Sequence, residues 1–191
     1  MRKILIQTSA RFQILSALML VSFCFNLSAA PKYSNEFLSL NVGARQMAMG
    51  GASVATSNDI YSTYWNPAGL TELKSDMQLG AMHNEYFAGM SKHDYLGAAF
   101  RVSDSTVFAV SMIRFGVDNI PNTLELYDEQ GNIRYERIKS FSAVDYAFVG
   151  SLARKSTLIP GLQLGANLKI IRRIIGEFGS TWGFGDRKSV V

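Results

Sequence analysis

Residues 41–70, NVGARQMAMGGASVATSNDIYSTYWNPAGL, decide how the rest of the chain is organised. Glycines interrupt this stretch, and it carries almost no charge. It closes on a turn at Asn66-Pro67, because proline fixes its own φ and holds the preceding residue away from the helical region. Small residues let one backbone segment approach another closely. The stretch therefore predicts a compact plug packed against a wall, and it lacks the glycine-lysine pattern of a phosphate-binding loop.

The first thirty residues have the pattern of a secretory signal peptide. Basic residues precede an apolar segment at residues 12–27, and small residues at 28–30 supply a cleavage site, so we expect cleavage near Ala30. The only cysteine, Cys24, lies in this segment, so the mature chain has no disulfide. Removing the three basic residues of the leader lowers the formal net charge from +4 to +1. This near-neutral balance argues against a nucleic-acid partner.

Downstream of the plug, the chain divides into strand-length segments. They lie at residues 77–87, 94–102, 106–116, 141–154 and 161–173, with a further start at 182–185. In residues 161–173, apolar side chains alternate with Gln163, Asn167 and Lys169. In residues 141–154, Asp145 lies on the corresponding polar face. Alternation over about ten residues is typical of a transmembrane barrel with a polar lumen. A soluble β-sandwich also alternates, but over strands of about five to six residues.

This alternation predicts that those four polar residues face the lumen. Arginine at Leu168 should then cost about 2–4 kcal/mol near mid-membrane, and little at Asn167. Short connections at residues 103–105 and 155–160 alternate with a long one at 117–140 and a loop-like segment from Gly176. We interpret these as periplasmic turns and extracellular loops, with the plug at or inside the periplasmic end of the barrel. Within the long connection, residues 124–127 and 133–137 are expected to pair as a ribbon.

Chemistry-bearing side chains are few. The cluster with metal-ligand chemistry is His83, Glu85, His93 and Asp94. Such residues are also common on the rims of barrels, where they are solvated, so no metal site is predicted. H-E-x-x-H and G-x-S-x-G are not present, and we expect neither enzymatic activity nor a cofactor. Tyr95 and other aromatic residues near segment ends are candidates for an interfacial girdle.

Motifs in the plug and in the strands point together to one family. In the plug these residues are Gly43, Arg45, Gly50, Gly51, Asp59, Trp65, Asn66, Pro67 and Gly69. Downstream they are FGVDNIP at 115–121, PGL at 160–162, GEF at 176–178 and WGFG at 182–185. This set resembles the PorV/PorQ family, associated in part with type IX secretion, and less closely the FadL-type transporters. The resemblance implies an all-β, FadL-like antiparallel outer-membrane barrel of about fourteen strands with an N-terminal hatch.

Residues 186–191, DRKSVV, depart from the family pattern, which would continue strand after strand. We therefore expect a C-terminally truncated chain that forms only part of a barrel. Its predicted organisation is a signal peptide at 1–30, a hatch at 31–76, strands at 77–185 and a non-native tail at 186–191. The sheet should be open, with residues 77–87 and the segment near Trp182 as its edges.

Three functions remain open from the sequence. The resemblance implies an outer-membrane protein that contacts lipid, a secretion translocon and secreted cargo, and assists secretion and surface attachment. An alternative is a FadL-type channel for hydrophobic small molecules, which needs an apolar lumen, whereas Gln163, Asn167 and Lys169 are polar. A third is a soluble periplasmic β-domain that binds a partner. Fractionation distinguishes this last one, because a barrel needs detergent for extraction.

Overall fold

The computed structural model describes residues 35–190, and for residues 185–190 it describes the backbone alone. The predicted signal peptide, its cleavage near Ala30 and the last residue lie outside this range. All packing reported below lies within the unit Phe37–Val191.

Short helices build the plug. They are a 3-10 helix at Glu36–Ser39, α1 (Ala44–Ala48), α2 (Ser62–Trp65) and a 3-10 helix at Pro67–Glu72. Helix α2 ends because Asn66 is extended ahead of Pro67, with φ −157° and ψ 100°. The Asn66 side chain then caps the next helix by accepting a hydrogen bond from the Ala68 N–H at 3.2 Å, while Pro67 occupies its first turn. The turn read from the sequence is thus a junction between two helices.

Six strands form one antiparallel sheet in sequential order. They are β1 (Met77–Tyr86), β2 (Ser91–Ser103), β3 (Thr106–Asn122), β4 (Lys139–Lys155), β5 (Gln163–Ile175) and β6 (Gly179–Val190). Within the described residues β1 pairs only with β2, and β6 only with β5, so the sheet is open. This confirms the predicted all-β fold with an incomplete, open sheet and with these two strands as its edges.

The connections lie at two ends of the sheet. Residues 87–90, 123–138 and 176–178 connect strands at one end, called the mouth here. Residues 104–105 and 156–162 connect them at the other end, called the base, where residues 73–76 also lead from the plug into β1. Strands β3 and β4 extend further toward the mouth than predicted, past an irregularity between Val117 and Ile120. The long connection is correspondingly shorter than the sequence suggested.

Three local features differ from the predicted ones. The segment from Gly176 is a tight turn, in which Gly176 has φ 45°, and not a long loop. The predicted ribbon reduces to a single bridge between Tyr127 and Ile133, followed by a 3-10 helix at Tyr135–Arg137. Residues 186–190 continue β6 in register with β5. Charged side chains do not prevent this, because the ladder is formed by backbone groups that any residue other than proline supplies.

The sheet has an inner face, which carries the plug, and an outer face. Ile60 of the plug lies against Gly80 of β1 and Gly97 of β2, and the Pro67–Ala68 backbone lies against Gly165 of β5. One small plug reaches strands near both edges, so the sheet must curve around it. No helix in residues 35–190 is long and apolar enough to cross a membrane.

Candidate functional site

Trp65 is the centre of the plug. Its ring is 7% exposed, lies edge-on to Tyr64 at 5.0 Å between centroids, and its indole N–H donates to the Val42 carbonyl at 2.8 Å. Gly51, with φ 80°, comes so close that an added Cβ would lie 3.2 Å from the ring. Gly50, with φ 64°, helps reverse the chain after α1. The ring therefore ties the segment before α1 to the segment after it.

Asp59 joins helix α1 to the start of helix α2. One of its oxygens accepts from the Tyr61 N–H at 3.0 Å and the other from the Gln46 side-chain amide of α1 at 3.1 Å. Gly43 begins α1 with φ 91°, and a Cβ there would collide with the Gln46 side chain. Burial, and then the Asp59 carboxylate, raise the pKa of the Tyr61 phenol. Asp59 is thus a structural anion inside the plug.

The end of the plug depends on close backbone packing. The Asn66 side-chain amide donates to the Val54 carbonyl at 2.9 Å. Gly69 lies against the Ser57 carbonyl, where a Cβ would come within 2.1 Å of the oxygen. The Ser57 and Ser62 hydroxyls are hydrogen-bonded at 2.9 Å beside it. These contacts hold the loop at residues 53–58 on the helical turn that follows Pro67.

Helix α2 is held by two separate strands of the wall. The Tyr95 hydroxyl of β2 donates to the Ile60 carbonyl at 2.9 Å and is hydrogen-bonded to the Thr63 hydroxyl at 2.7 Å. From β5, the Asn167 side-chain amide donates to the Thr63 carbonyl at 2.5 Å. Tyr95 is buried on the inner face, so the girdle interpretation of this residue was wrong.

Asn167 is only 3% exposed. Its neighbour on the same face, Gly165, has no room for a side chain, because a Cβ would lie 2.2 Å from the Ala68 nitrogen. The expectation that arginine is tolerated at Asn167 was therefore wrong, since the lumen at this height is filled by the plug rather than by water. The alternation gave the correct face of the strand, but it contained no information on what covers that face.

A charged rim surrounds the plug at the base. Glu72 pairs with Lys155 at 3.1 Å and accepts from the Gln163 side-chain amide at 2.5 Å. Arg101 donates to the Leu73 carbonyl and pairs with Asp76 at 3.4 Å. A cavity of about 410 Å³ lies beside this rim, lined in part by Arg45, Glu72 and Gln163. Arg45 is exposed there and makes no ion pair within the described residues.

The other predicted lumen residues lie on the inner face nearer the mouth. Asp145 binds Arg173 of the adjacent strand through two hydrogen bonds, of 2.6 and 2.9 Å. Lys169 lies on the same face of β5, two positions from Asn167. The four polar residues therefore share a face but not a site: Gln163 lies at the base, Asn167 under the plug, and Asp145 near the mouth.

The residues with metal-ligand chemistry are divided between the two faces. On the outer face His83 contacts Asp94 at 2.6 Å and Glu85 at 3.4 Å, and Asp94 also pairs with Arg114 at 2.9 Å. His93 is fully buried on the inner face between Tyr86 and Phe115. Among residues 35–190, no group of three or more His, Cys, Asp or Glu side chains is placed to hold a metal ion.

The outer face between base and mouth is an apolar band. Its exposed large side chains include Met77, Leu79, Leu96, Phe100, Phe108, Val110, Phe148, Leu152, Leu164, Leu168 and Phe184. From Leu164 to Arg172, β5 advances about 27 Å along the strand. With the usual barrel tilt, this corresponds to a band roughly 20 Å tall, close to the apolar height of outer-membrane barrels.

Sequence reasoning missed Thr63 and Gly165 as contact residues. A signal for Gly165 was available, because a glycine inside an alternating strand often marks a close backbone approach. Thr63 had no such signal. Its role depends on Tyr95 and Asn167, which are distant in the chain and meet only when the sheet curves around the plug.

The fold and site define a class: a curved antiparallel wall with an apolar outer face and an N-terminal plug fixed to its inner face. The family model described as "Type IX secretion system protein PorV" matches residues 30–171, most of the chain. The chain therefore belongs to the PorV family and is associated with the type IX secretion system. No curated protein and no solved structure matches it.

Proposed function

We propose that this protein is an outer-membrane component of type IX secretion that assists secretion and surface attachment of cargo proteins together with a translocon. The role we propose is non-enzymatic: the wall contacts lipid, and the plug is a structural element inside it. The signal peptide, cleaved near Ala30, would deliver the chain to the envelope. Membership of the PorV family supports the secretion part of this proposal.

The observation that carries the membrane part is the apolar band. Leu168 is 60% exposed, whereas Asn167, the next residue, is 3% exposed beneath the plug. Soluble monomers rarely expose contiguous apolar patches larger than a few hundred Å², and this band extends across the sheet. A soluble periplasmic domain is therefore disfavoured. The membrane role requires the edges β1 and β6 to be paired, because unpaired backbone groups are costly in lipid.

A channel for hydrophobic small molecules fits the inner face poorly. The plug occupies that face with polar links such as the Tyr95–Thr63 and Asn167–Thr63 hydrogen bonds. The cavity beside it at the base is lined by Arg45, Glu72 and Gln163. The large apolar groove of the described residues opens on the outer face instead. This arrangement supports a scaffold role in secretion over transport through the lumen.

The test is site-specific photo-crosslinking in a bacterium that has a type IX secretion system. A benzophenone amino acid replaces Leu168 on the outer face or Val149 on the inner face. We expect crosslinks to lipid or to translocon subunits from Leu168, and crosslinks within the chain from Val149. Deletion of the gene should lower the amount of cargo on the cell surface. Unchanged surface cargo, or a protein released without detergent, would contradict the proposal.

A further inference from the structure

A row of polar and aromatic side chains crosses the outer face from strand to strand. Each member lies directly opposite the next in the strand register, one from each strand from β1 to β6. This polar row consists of His83, Asp94, Arg114, Tyr146, Arg172 and Trp182. It separates the apolar band from the mouth, which is where a headgroup layer would lie if the band is in lipid.

Among the described residues, Arg172 is the cation of this row that forms no ion pair with a carboxylate. Its guanidinium lies over the Trp182 ring at 5.0 Å from the centroid. Its Nε is buried and has no hydrogen-bond partner among the described residues. Trp182 itself is largely exposed on the outer face. A planar guanidinium held on an indole is preorganised to bind a phosphate through two hydrogen bonds.

A second cation lies two strands away. Arg114 donates to Asp94 at 2.9 Å, and Asp94 is shared with His83. Tyr146 lies between Arg114 and Arg172 in the register, so a phenol separates the two guanidinium groups. The centre of the row therefore offers two cations and a hydroxyl, and its negative charge is confined to the β1–β2 side.

An apolar groove begins directly below these cations. It has a volume of about 610 Å³ and is lined by, among others, Leu96, Val110, Met112, Phe148, Leu168 and Ile170. Met112, Phe148 and Ile170 each lie two positions toward the base from Arg114, Tyr146 and Arg172 on the same face. Gly150 forms part of the floor between Val110 and Leu168, and a Cβ there would meet nothing within 4 Å.

We propose that this outer surface is a binding site for an anionic, phosphate-bearing lipid. The phosphate would lie against Arg172, Tyr146 and Arg114, and one acyl chain would occupy the groove below. The proposal rests on the membrane placement proposed above and adds headgroup selectivity to it. Two features favour a lipid over a protein segment. The cations complement a negative headgroup, and the groove runs directly into the phosphate-binding group, as an acyl chain runs into its headgroup.

The experiment uses the two tryptophans of the chain as reporters. The full chain is folded in dodecylmaltoside micelles, with β-sheet circular dichroism as the criterion of folding. Brominated phosphatidylglycerol or brominated phosphatidylcholine is then titrated at matched ionic strength, and quenching of tryptophan fluorescence is measured. Trp65 is buried in the plug, so quenching should come from Trp182, and Trp182→Phe should remove it.

We expect phosphatidylglycerol to half-saturate quenching at about fivefold lower lipid fraction than phosphatidylcholine. One cation near an anionic lipid surface raises the affinity by about that factor. Arg172→Gln should abolish this preference. The matched control is Arg154→Gln, which removes the same charge from the base end of the outer face and should leave the preference unchanged. Gly150→Leu fills the groove and should weaken quenching by both lipids.

The outcomes separate the two proposals. Equal quenching by both lipids, or an unchanged preference in Arg172→Gln, overturns the lipid site but leaves the membrane placement standing. Absence of quenching by either lipid overturns both. Unchanged quenching in Gly150→Leu, together with loss of the preference on addition of inorganic phosphate at matched ionic strength, would also overturn the lipid site, because it would show an anion site that does not use the groove.

Discussion

The inner and outer faces of the same six strands differ in what covers them. On β5, Gly165 and Asn167 are buried under the plug, while Leu164 and Leu168 on either side of them are exposed. On the inner face the cover is the plug, which belongs to the same chain. The outer face is more apolar and has no cover within the described residues. The difference indicates that the outer face is adapted to an apolar environment outside the chain.

The two tryptophans test this contrast with the largest expected effect. Trp65→Ala should lower the free energy of unfolding by about 3–5 kcal/mol, because it leaves a cavity at the centre of the plug. Trp182→Ala removes an equal volume from the outer face and should cost about 0.5–1 kcal/mol, the value of an exposed cation–π contact with Arg172. Urea unfolding in micelles measures both. Similar losses for the two variants would break the distinction between the faces.

A charge on the outer face should be costly only deep in the band. Leu168→Arg should destabilise the protein in lipid vesicles by about 2–4 kcal/mol, whereas Leu164→Arg, near the base, should cost about 0–1 kcal/mol. Both side chains are exposed, so a soluble fold would tolerate them equally. The difference is measured by equilibrium folding into lipid vesicles at increasing concentrations of urea. If the two variants are equally stable, the band does not lie in lipid.

Two glycines provide a steric test of the same comparison. Gly165→Ala places a Cβ 2.2 Å from the Ala68 nitrogen and should cost about 1–3 kcal/mol through displacement of the plug. Gly150→Ala places a Cβ in open space on the outer face and should stabilise the strand by up to about 0.5–1 kcal/mol. Unfolding midpoints measure both changes. A stable Gly165→Ala variant with an intact plug would be inconsistent with the packing described here.

The smallest effect concerns the long connection at the mouth, which belongs to neither face. The Asn132 N–H, together with the Asn132 side chain and Arg134, holds the pKa of Asp128 below its ordinary value. A carboxyl group with a lowered pKa in the folded state stabilises the loop above its unfolded pKa, near 4, and loses this contribution as the pH falls through the folded pKa. We expect local loosening of the connection on acidification, with no change in the plug.

The amide proton of Asn132 reports this change by nuclear magnetic resonance between pH 6 and pH 3, because it donates to Asp128 at 2.8 Å. Asp128→Asn should show the loosened loop at both pH values. A pH-dependent shift that persists in this variant would assign the effect to another group.

Much of the wall could be predicted from the sequence, because each strand records its own two faces. The alternation at Leu164, Leu168, Gln163 and Asn167 fixed the side of the sheet to which each residue belongs. The bounds were less accurate. β3 and β4 continue past Val117 because backbone pairing with a neighbour extends strands beyond what local composition indicates.

The sequence by itself determined the family, the all-β class, the order of the strands and the small-residue character of the plug. These are properties of local pattern: side-chain period, turn residues and motif spacing. Only the tertiary structure decided which residues hold the plug and where the outer cations lie. Thr63 meets Tyr95 and Asn167 from distant strands, and Arg172 meets Trp182 across the β5–β6 pair, because strand register and curvature bring them together. Register and curvature are set by the whole sheet, and no single segment encodes them.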